Sequence, residues 1–341
     1  RYRVGLADTG TPAGYRRARE NRPLPAAGKP PLDLYARSHL LRTLLRWRGL
    51  QFAVVLPVLA LFLVVILAGL LGTKVGGRNL GVMATWVVWM FVMAVILMPL
   101  NSRLWCLICP LPVLGEYLQR GTTVGVRPAP ASPVGNSYFS LGWRWPKWLR
   151  GAWPRQLAFL CIGTAAASFA GMPKWTATLL LVLAGTATLL SLFWKRRAFC
   201  RYLCPVTSFL SVYSGVGRLM VRARDRAVCA TCKGKDCYRG NANGWGCPFG
   251  VFPSTLASNA ECGMCTECFK TCPSDNMTMA WRRGPMLQER FLSAGQAWQT
   301  LAMLTLAMVY SLVMLSPWPA LRDVVNIVDR GHWPRFLIYV V

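Results

Sequence analysis

"LQFAVVLPVLALFLVVILAGLLG", residues 50 to 72, contains no charged side chain. Roughly 20 apolar residues are enough for a helix to cross the hydrocarbon layer of a bilayer, and one ionised group at its centre would cost about 2.5 to 3.5 kcal/mol. "NLGVMATWVVWMFVMAVILMPL", 79 to 100, repeats the pattern after only "TKVGGR". The two runs predict a transmembrane hairpin. Composition agrees with this: the 341 residues are 54% hydrophobic and 15% charged, and mean hydropathy is +0.36, too apolar for a water-soluble domain of this size. A net charge of +27 would point to nucleic acid in a soluble chain. Here Lys and Arg crowd beside the apolar runs, which is the positive-inside bias of membrane insertion, so the expected surface partner is the lipid bilayer and not nucleic acid.

A second hairpin is read at "QLAFLCIGTAAASFAGM", 156 to 172, and "WTATLLLVLAGTATLLSLFW", 175 to 194, turning at Pro173 and Lys174. Cys161 lies inside it without a Cys neighbour in sequence and is expected to be a buried structural thiol. "QTLAMLTLAMVYSLVML", 299 to 315, returns to the membrane, while the terminal "FLIYVV" is too short to span. The expected fold is an all-α polytopic membrane protein of five or six transmembrane helices, with an internal repeat of two helical hairpins and an inserted small α+β domain of bacterial-ferredoxin type. Its divisions are a basic, Pro-rich arm at 1–43, read as solvated or as docking on a partner subunit; a first hairpin at 44–120; and a Trp- and Arg-rich interfacial loop at 121–154. A second hairpin at 155–214, a Cys-rich domain at 215–290 and a last helix with its tail at 291–341 follow.

Thirteen cysteines stand in short-spaced groups with several Cys-Pro pairs, a pattern of metal ligation and not of a disulfide framework. In "CGMCTECFKTCP", Cys262, Cys265 and Cys268 recur at two-residue intervals and Cys272 precedes Pro273, the bacterial C-x2-C-x2-C-x3-C-P run. Cys229, Cys232, Cys237 and Cys247, the last before Pro248, form a stretched counterpart. In such runs the fourth Cys serves the other cluster. One [4Fe-4S] cluster is therefore expected on Cys229, Cys232, Cys237 and Cys272, and a second on Cys262, Cys265, Cys268 and Cys247. Zinc is the alternative that paired C-x2-C motifs allow.

Two further phrases end the hairpins. Arg103-Leu104-Trp105-Cys106-x2-Cys109-Pro110 aligns with Arg197-Ala198-Phe199-Cys200-x3-Cys204-Pro205. Two such units packed about a pseudo-twofold axis would bring Cys106, Cys109, Cys200 and Cys204 together, enough for a third iron-sulfur cluster. Separate redox dithiols, or helix-end turns with Cys as a small hydrophobe, are the other readings.

The order of hairpin, Cys-Pro pair, hairpin, Cys-x3-Cys-Pro and double-cluster run resembles the NapH and NosR type of membrane-bound polyferredoxin. The resemblance covers roughly residues 45 to 290, and "CLICP" is one residue shorter than the family spacing that "CRYLCP" keeps. It implies an iron-sulfur electron-transfer subunit of a respiratory complex, a quinol-dehydrogenase-like oxidoreductase component that relays electrons between the quinone pool and partner cytochrome or iron-sulfur subunits. The other role weighed is a maturation factor that reduces a metal or thiol of another respiratory enzyme. Only His39 and His332 are present, so bis-histidine haem b is not expected. Glu116 and Tyr117 are candidates for the vicinity of a quinone, and Trp86 and Trp89 for flanking its ring. The basic loops place the N-terminus and the Cys-rich domain on the cytoplasmic side of a bacterial inner membrane.

Overall fold

The computed structural model describes residues 31–122, 139–256, 259–283 and 294–315. The chain enters as a short strand, β1 (Leu32–Asp33), followed by α1 (Leu34–Arg37) and α2 (His39–Arg46). The residue before each helix caps it: Asp33 Oδ1 accepts from Ala36 N, and Ser38 Oγ from Leu41 N. Next come α3 (Leu50–Leu71) and α4 (Leu80–Leu100). Asn79, 1% exposed, closes the turn between them, its Nδ2 donating to Ala68 O and Thr73 O while its Oδ1 accepts from Gly81 N. α4 is π-helical over Met83–Val88 and Val92–Leu97.

Short helices α5 (Trp105–Ile108) and α6 (Val113–Arg120) carry the first Cys-Pro pair. α7 (Trp153–Thr164), α8 (Ala166–Gly171) and α9 (Pro173–Phe193) follow, then α10 (Ala198–Tyr202) and α11 (Pro205–Tyr213) around the second pair. The Cys-rich lobe comprises β2 (Leu219–Ala223), α12 (Arg226–Thr231), α13 (Asp236–Arg239), α14 (Glu267–Thr271) and β3 (Met277–Trp281). α15 (Ala294–Leu315) packs back against α7 and α11.

Among the described residues α3, α4 and α9 are long and apolar enough to cross a membrane. Leu61, Leu63, Val64 and Leu67 on α3, Phe91 and Val95 on α4, and Val182 and Leu189 on α9 are all exposed. Apolar surface of that extent, unmasked, is incompatible with water but natural against lipid. α3 and α9 approach through small residues: a Cβ on Gly69 would stand 2.8 Å from Ala177 Cβ.

The single span expected over 156–172 is instead broken into α7 and α8 at Ala165. Thr164 Oγ1 donates to Leu160 O and Cys161 O, a back-bond that bends helices, and Gly163 sits against the side chain of Leu306. Cys161, expected to be buried, is exposed because α7 turns its other face to α11 and α15. Residues 1–30, 123–138, 284–293 and 316–341, and with them most of the arm, the centre of the interfacial loop and the terminal "FLIYVV", lie outside the described residues.

The end of the arm corrects the expected boundary at residue 43. β1 pairs antiparallel with β3, and β3 with β2, giving a three-stranded sheet in the order β1-β3-β2. Tyr35, 0% exposed, lies in the core of the lobe with Phe269, Met264, Val221 and Met277. Its hydroxyl donates to Asp275 Oδ1 at 2.8 Å, and Arg42 pairs with the same carboxylate. Residues 32–46 therefore belong to the Cys-rich lobe of their own chain. The reason is that β3 has two edges and its antiparallel partner β2 covers one only. Tyr35→Ala is expected to destabilise the lobe by about 3 kcal/mol, read as faster amide exchange along β3. Leu40→Ala, on a side chain 71% exposed, should leave it unchanged.

Candidate metal centres

The run "CGMCTEC" coils because Met264 and Thr266 adopt left-handed backbone, φ 49° and 65°, a conformation uncommon outside glycine and typical of functional turns. At Gly263 an added Cβ would overlap the Phe249 ring at 1.9 Å. Cys262, Cys265 and Cys268 line one apolar cavity together with Cys247 from the other run. Burial pushes the Cys262 thiol up to about 11 and Cys265 upward as well, and neighbouring Cys247 acts in the same direction on both. The second group is Cys229, Cys232, Cys237 and Cys272. Burial, then the Cys272, Cys229 and Cys232 thiols, push Cys237 up to about 12. The cysteine before proline in each run thus sits with the three of the other.

The long insertion before Cys247 is packed onto α14. Gly246 has φ 74°, and a Cβ there would stand 2.5 Å from Gly240 N. Asn241 Nδ2 donates to Thr271 O at 3.0 Å, Trp245 N to Glu267 Oε2 at 2.8 Å, and the buried Lys270 pairs with Glu267 at 2.8 Å. The extra residues form a small loop, and Cys237 and Cys247 still turn inward. Both Cys-Pro thiols accept from the amide four residues on: Val251 N donates to Cys247 Sγ at 3.4 Å and Asn276 N to Cys272 Sγ at 3.3 Å. Asn276 Nδ2 donates to Cys229 Sγ at 3.3 Å. Such bonds favour the more negative state of a sulfur-bound metal.

The third thiol group lies where the membrane helices meet the lobe. Cys106, Cys200 and Cys204 share a core with Met93 and Leu97 of α4, Ala187 of α9, Leu210 of α11 and Phe249 of the lobe. Cys109 stands beside them: burial, then Cys204 and Cys106, raise its thiol, and burial, Cys204, Cys109 and Cys106 all bear on Cys200. Two arginines, each three residues before the first Cys of its phrase, are buried against this group, Arg103 at 1% and Arg197 at 4% exposure. Arg197 grips Glu116 through Nε to Oε1 at 2.6 Å and Nη2 to Oε2 at 2.9 Å, and donates Nη1 to Cys106 O at 2.8 Å. Its own amide donates to Pro248 O at 3.1 Å, between Cys247 and Phe249. Arg103 directs Nη1 at Cys106 Sγ, 3.8 Å away, and Nη2 at Ala260 O, two residues before Cys262. The Nε of Arg103 is buried without a partner.

The donor sets fit iron-sulfur clusters: each brings four cysteines together, the ligand number of a [4Fe-4S] cluster. An anionic group at the third site would also answer the buried, unsatisfied guanidinium of Arg103.

A family model described as a 4Fe-4S binding domain matches the chain twice, over residues 82–128 and 176–224. The match supports an iron-sulfur protein of ferredoxin type. The two matched segments are the ones that carry Cys106 with Cys109 and Cys200 with Cys204. The chain is also 28% identical over 90 residues, 26% of its length, to an uncharacterized protein of Methanocaldococcus jannaschii, of which the match spans 33%. No solved structure matches it.

Of the residues read as neighbours of a quinone, Glu116 is engaged by Arg197, by Arg120 at 3.3 Å and by Gln51 Nε2 at 3.3 Å. Burial works to raise its carboxyl, but Arg120 and Arg197 hold it down to about 2, the opposite of what a proton acceptor needs. Tyr117 is 51% exposed on the far side of α6. Trp86 Nε1 donates to Thr176 Oγ1 at 3.0 Å, a contact between α4 and α9, and Trp89 meets Trp105 edge-on at 5.5 Å. The residues that sequence reading left without a role are Arg103, Arg197 and Phe249. The shared Arg-x2-Cys of the two phrases was their only signal.

Glu116→Ala would strand Arg197 in the interior and is expected to cost about 3 to 5 kcal/mol, read as a lowered unfolding midpoint of the detergent-solubilised protein. Because the pair depresses the Glu116 carboxyl from its ordinary 4.5 to about 2, its contribution is fully present above pH 4.5 and is lost as pH falls through about 2. The gap between wild type and Glu116→Ala should therefore narrow across that window.

Proposed function

We propose that this chain is the iron-sulfur electron-transfer subunit of a membrane redox complex of the NapH/NosR kind, relaying electrons between the quinone pool and a partner oxidoreductase or cytochrome. Cys229, Cys232, Cys237 and Cys272 hold one [4Fe-4S] cluster, Cys247, Cys262, Cys265 and Cys268 a second, and Cys106, Cys109, Cys200 and Cys204 a third. Such clusters supply single-electron exchange at potentials set by charge, hydrogen bonding and burial. Quinone is the membrane reactant of this reading; haem b is not part of it. The two hairpins form an internal repeat, and the lobe and N-terminus face the cytoplasm of a bacterial inner membrane.

One observation carries the reading: the thiol groups stand in series. Cys247 of the second group stands close enough to Cys237 of the first to raise its thiol, after burial and the thiols of its own group. Cys247 and Phe249 pack on the core that contains Cys106, Cys200 and Cys204. That core reaches Met93 and Trp89 inside α4, a helix able to cross the bilayer. A chain of thiol groups from a polar lobe to the end of an apolar helix is what an electron path between a soluble face and a membrane-dissolved carrier requires. In this reading the third group, packed on α4, faces the membrane, and the lobe faces a protein partner.

The test is iron and acid-labile sulfide per chain on protein purified without oxygen, with EPR during a redox titration. About twelve irons per wild-type chain, falling to about eight in Cys200→Ser with the remaining signals intact, is the expected result. About eight in both would remove the third site. Failure of quinol to reduce any signal, in protein that holds its iron, would remove the quinone link.

A further inference from the structure

Charge at the third thiol group is not symmetric, although the two phrases that build it are. Counting from Pro110 and Pro205, the counterpart of Glu116 in the second phrase is Ser211. Glu116 pairs with Arg197 through two short bonds. Across the site Ser102 Oγ donates to Leu210 O at 2.8 Å, so Arg103 stands next to the turn that carries Ser211, where a serine offers no charge. Ser211 Oγ donates instead to Ser208 O at 2.6 Å.

Arg103 forms no ion pair among the described residues. Burial works to raise the Glu261 carboxyl of the lobe, and Arg155, with Arg103 and Arg201 behind it, holds it down, but the hydrogen bonds of both its oxygens go to Arg155, at 2.8 and 3.3 Å. Arg103 is nonetheless the largest fully buried side chain of the chain's described part, and a buried cation without an ion-pair partner costs several kcal/mol. The group its Nη1 faces is Cys106 Sγ.

We propose that Arg103 sets the reduction potential of the site formed by Cys106, Cys109, Cys200 and Cys204, its unpaired charge favouring the reduced form. This rests on the reading of those four thiols as cluster ligands. Reduction adds one electron to a group already anionic through its thiolates. A fixed guanidinium pointing at one of the sulfurs in a dry, apolar setting stabilises that added charge more than it stabilises the oxidised state. Arg197 also bears on Cys200 and Cys109, with Glu116 offsetting part of its charge. Arg103 is a positioning residue that acts through Cys106 and has no contact with a substrate.

The experiment compares wild type, Arg103→Gln and Arg103→Lys as full-length protein purified without oxygen, by iron content and EPR redox titration. The third signal is identified as the one lost in Cys200→Ser. In Arg103→Gln the midpoint of that signal is expected to shift to lower potential by more than either lobe signal, of which the one held by Cys262 also feels Arg103. Arg103→Lys, which retains the charge, is expected to restore most of the shift. Loss of the third signal in Arg103→Gln but not in Arg103→Lys overturns the proposal, because the charge is then needed to assemble the site and not to set its potential. An unshifted midpoint in Arg103→Gln, with iron still at about twelve per chain, overturns the proposal and leaves the cluster reading standing. Loss in both variants also overturns it, because guanidinium shape would then be what matters. About eight irons in the wild type is a different failure, which takes away the third cluster itself and the proposal with it.

Discussion

The buried pair of Arg197 and Glu116 is the contact on which the rest of the arrangement depends. Glu116 follows the first Cys-Pro pair and Arg197 precedes the second, so their bidentate bridge joins the two phrases directly. The same guanidinium fixes Cys106 O, and the amide of Arg197 fixes Pro248 O in the lobe. Gln119, one turn after Glu116, donates to the carbonyls of Ser191 and Trp194 at the end of α9. Taking both charges out of water is costly, and only dense hydrogen bonding offsets that cost. The energy therefore favours one registry of helix ends and lobe over all others, and the four thiols meet at its centre.

Around that registry the membrane and the lobe solve different problems. α3, α4 and α9 leave apolar faces bare because lipid covers them. The lobe is small, with a short sheet and a core of seven buried residues in which Tyr35 and Leu45 come from the segment before α3. Below a certain size a single core cannot offset the entropy of ordering the chain, so small domains add a strand, a metal or a cross-link. Here β1 and Tyr35 supply the strand, and the proposed clusters would supply the cross-link. The tryptophans of the loop before α7 serve the same junction: Trp145 stacks on Tyr202 at 4.8 Å and Trp143 on Phe193 at 5.0 Å, so they seal the end of α9 beside α10.

Much of this was legible in the residues. The spans at 50–71, 80–100 and 173–193 were readable because the bilayer sets a length and excludes charge. The ferredoxin-type character was readable because cysteine spacing is fixed by the cluster and not by the surrounding fold. The run at 156–172 reads as one span, and a window of apolar residues does not reveal the bend at Ala165 that divides it into α7 and α8. The partners of Glu116 are hidden for a related reason. From sequence it is one acid near a membrane surface, whereas Arg197, eighty-one positions later, decides its state.

The sequence by itself determined that three helices are long and apolar enough to cross a bilayer and that cysteines gather in short-spaced groups beside them, because both follow from local rules of length, charge and spacing. Only the tertiary structure decided which thiols stand together, that residues 32–46 close the sheet of the lobe, and that one buried arginine is ion-paired while its counterpart is not. Those outcomes hang on contacts between segments far apart in the chain, in particular Arg197 with Glu116, Tyr35 with Asp275 and Arg103 with Ala260. No periodicity or motif records such contacts, since burial alone makes them strong enough to choose one packing.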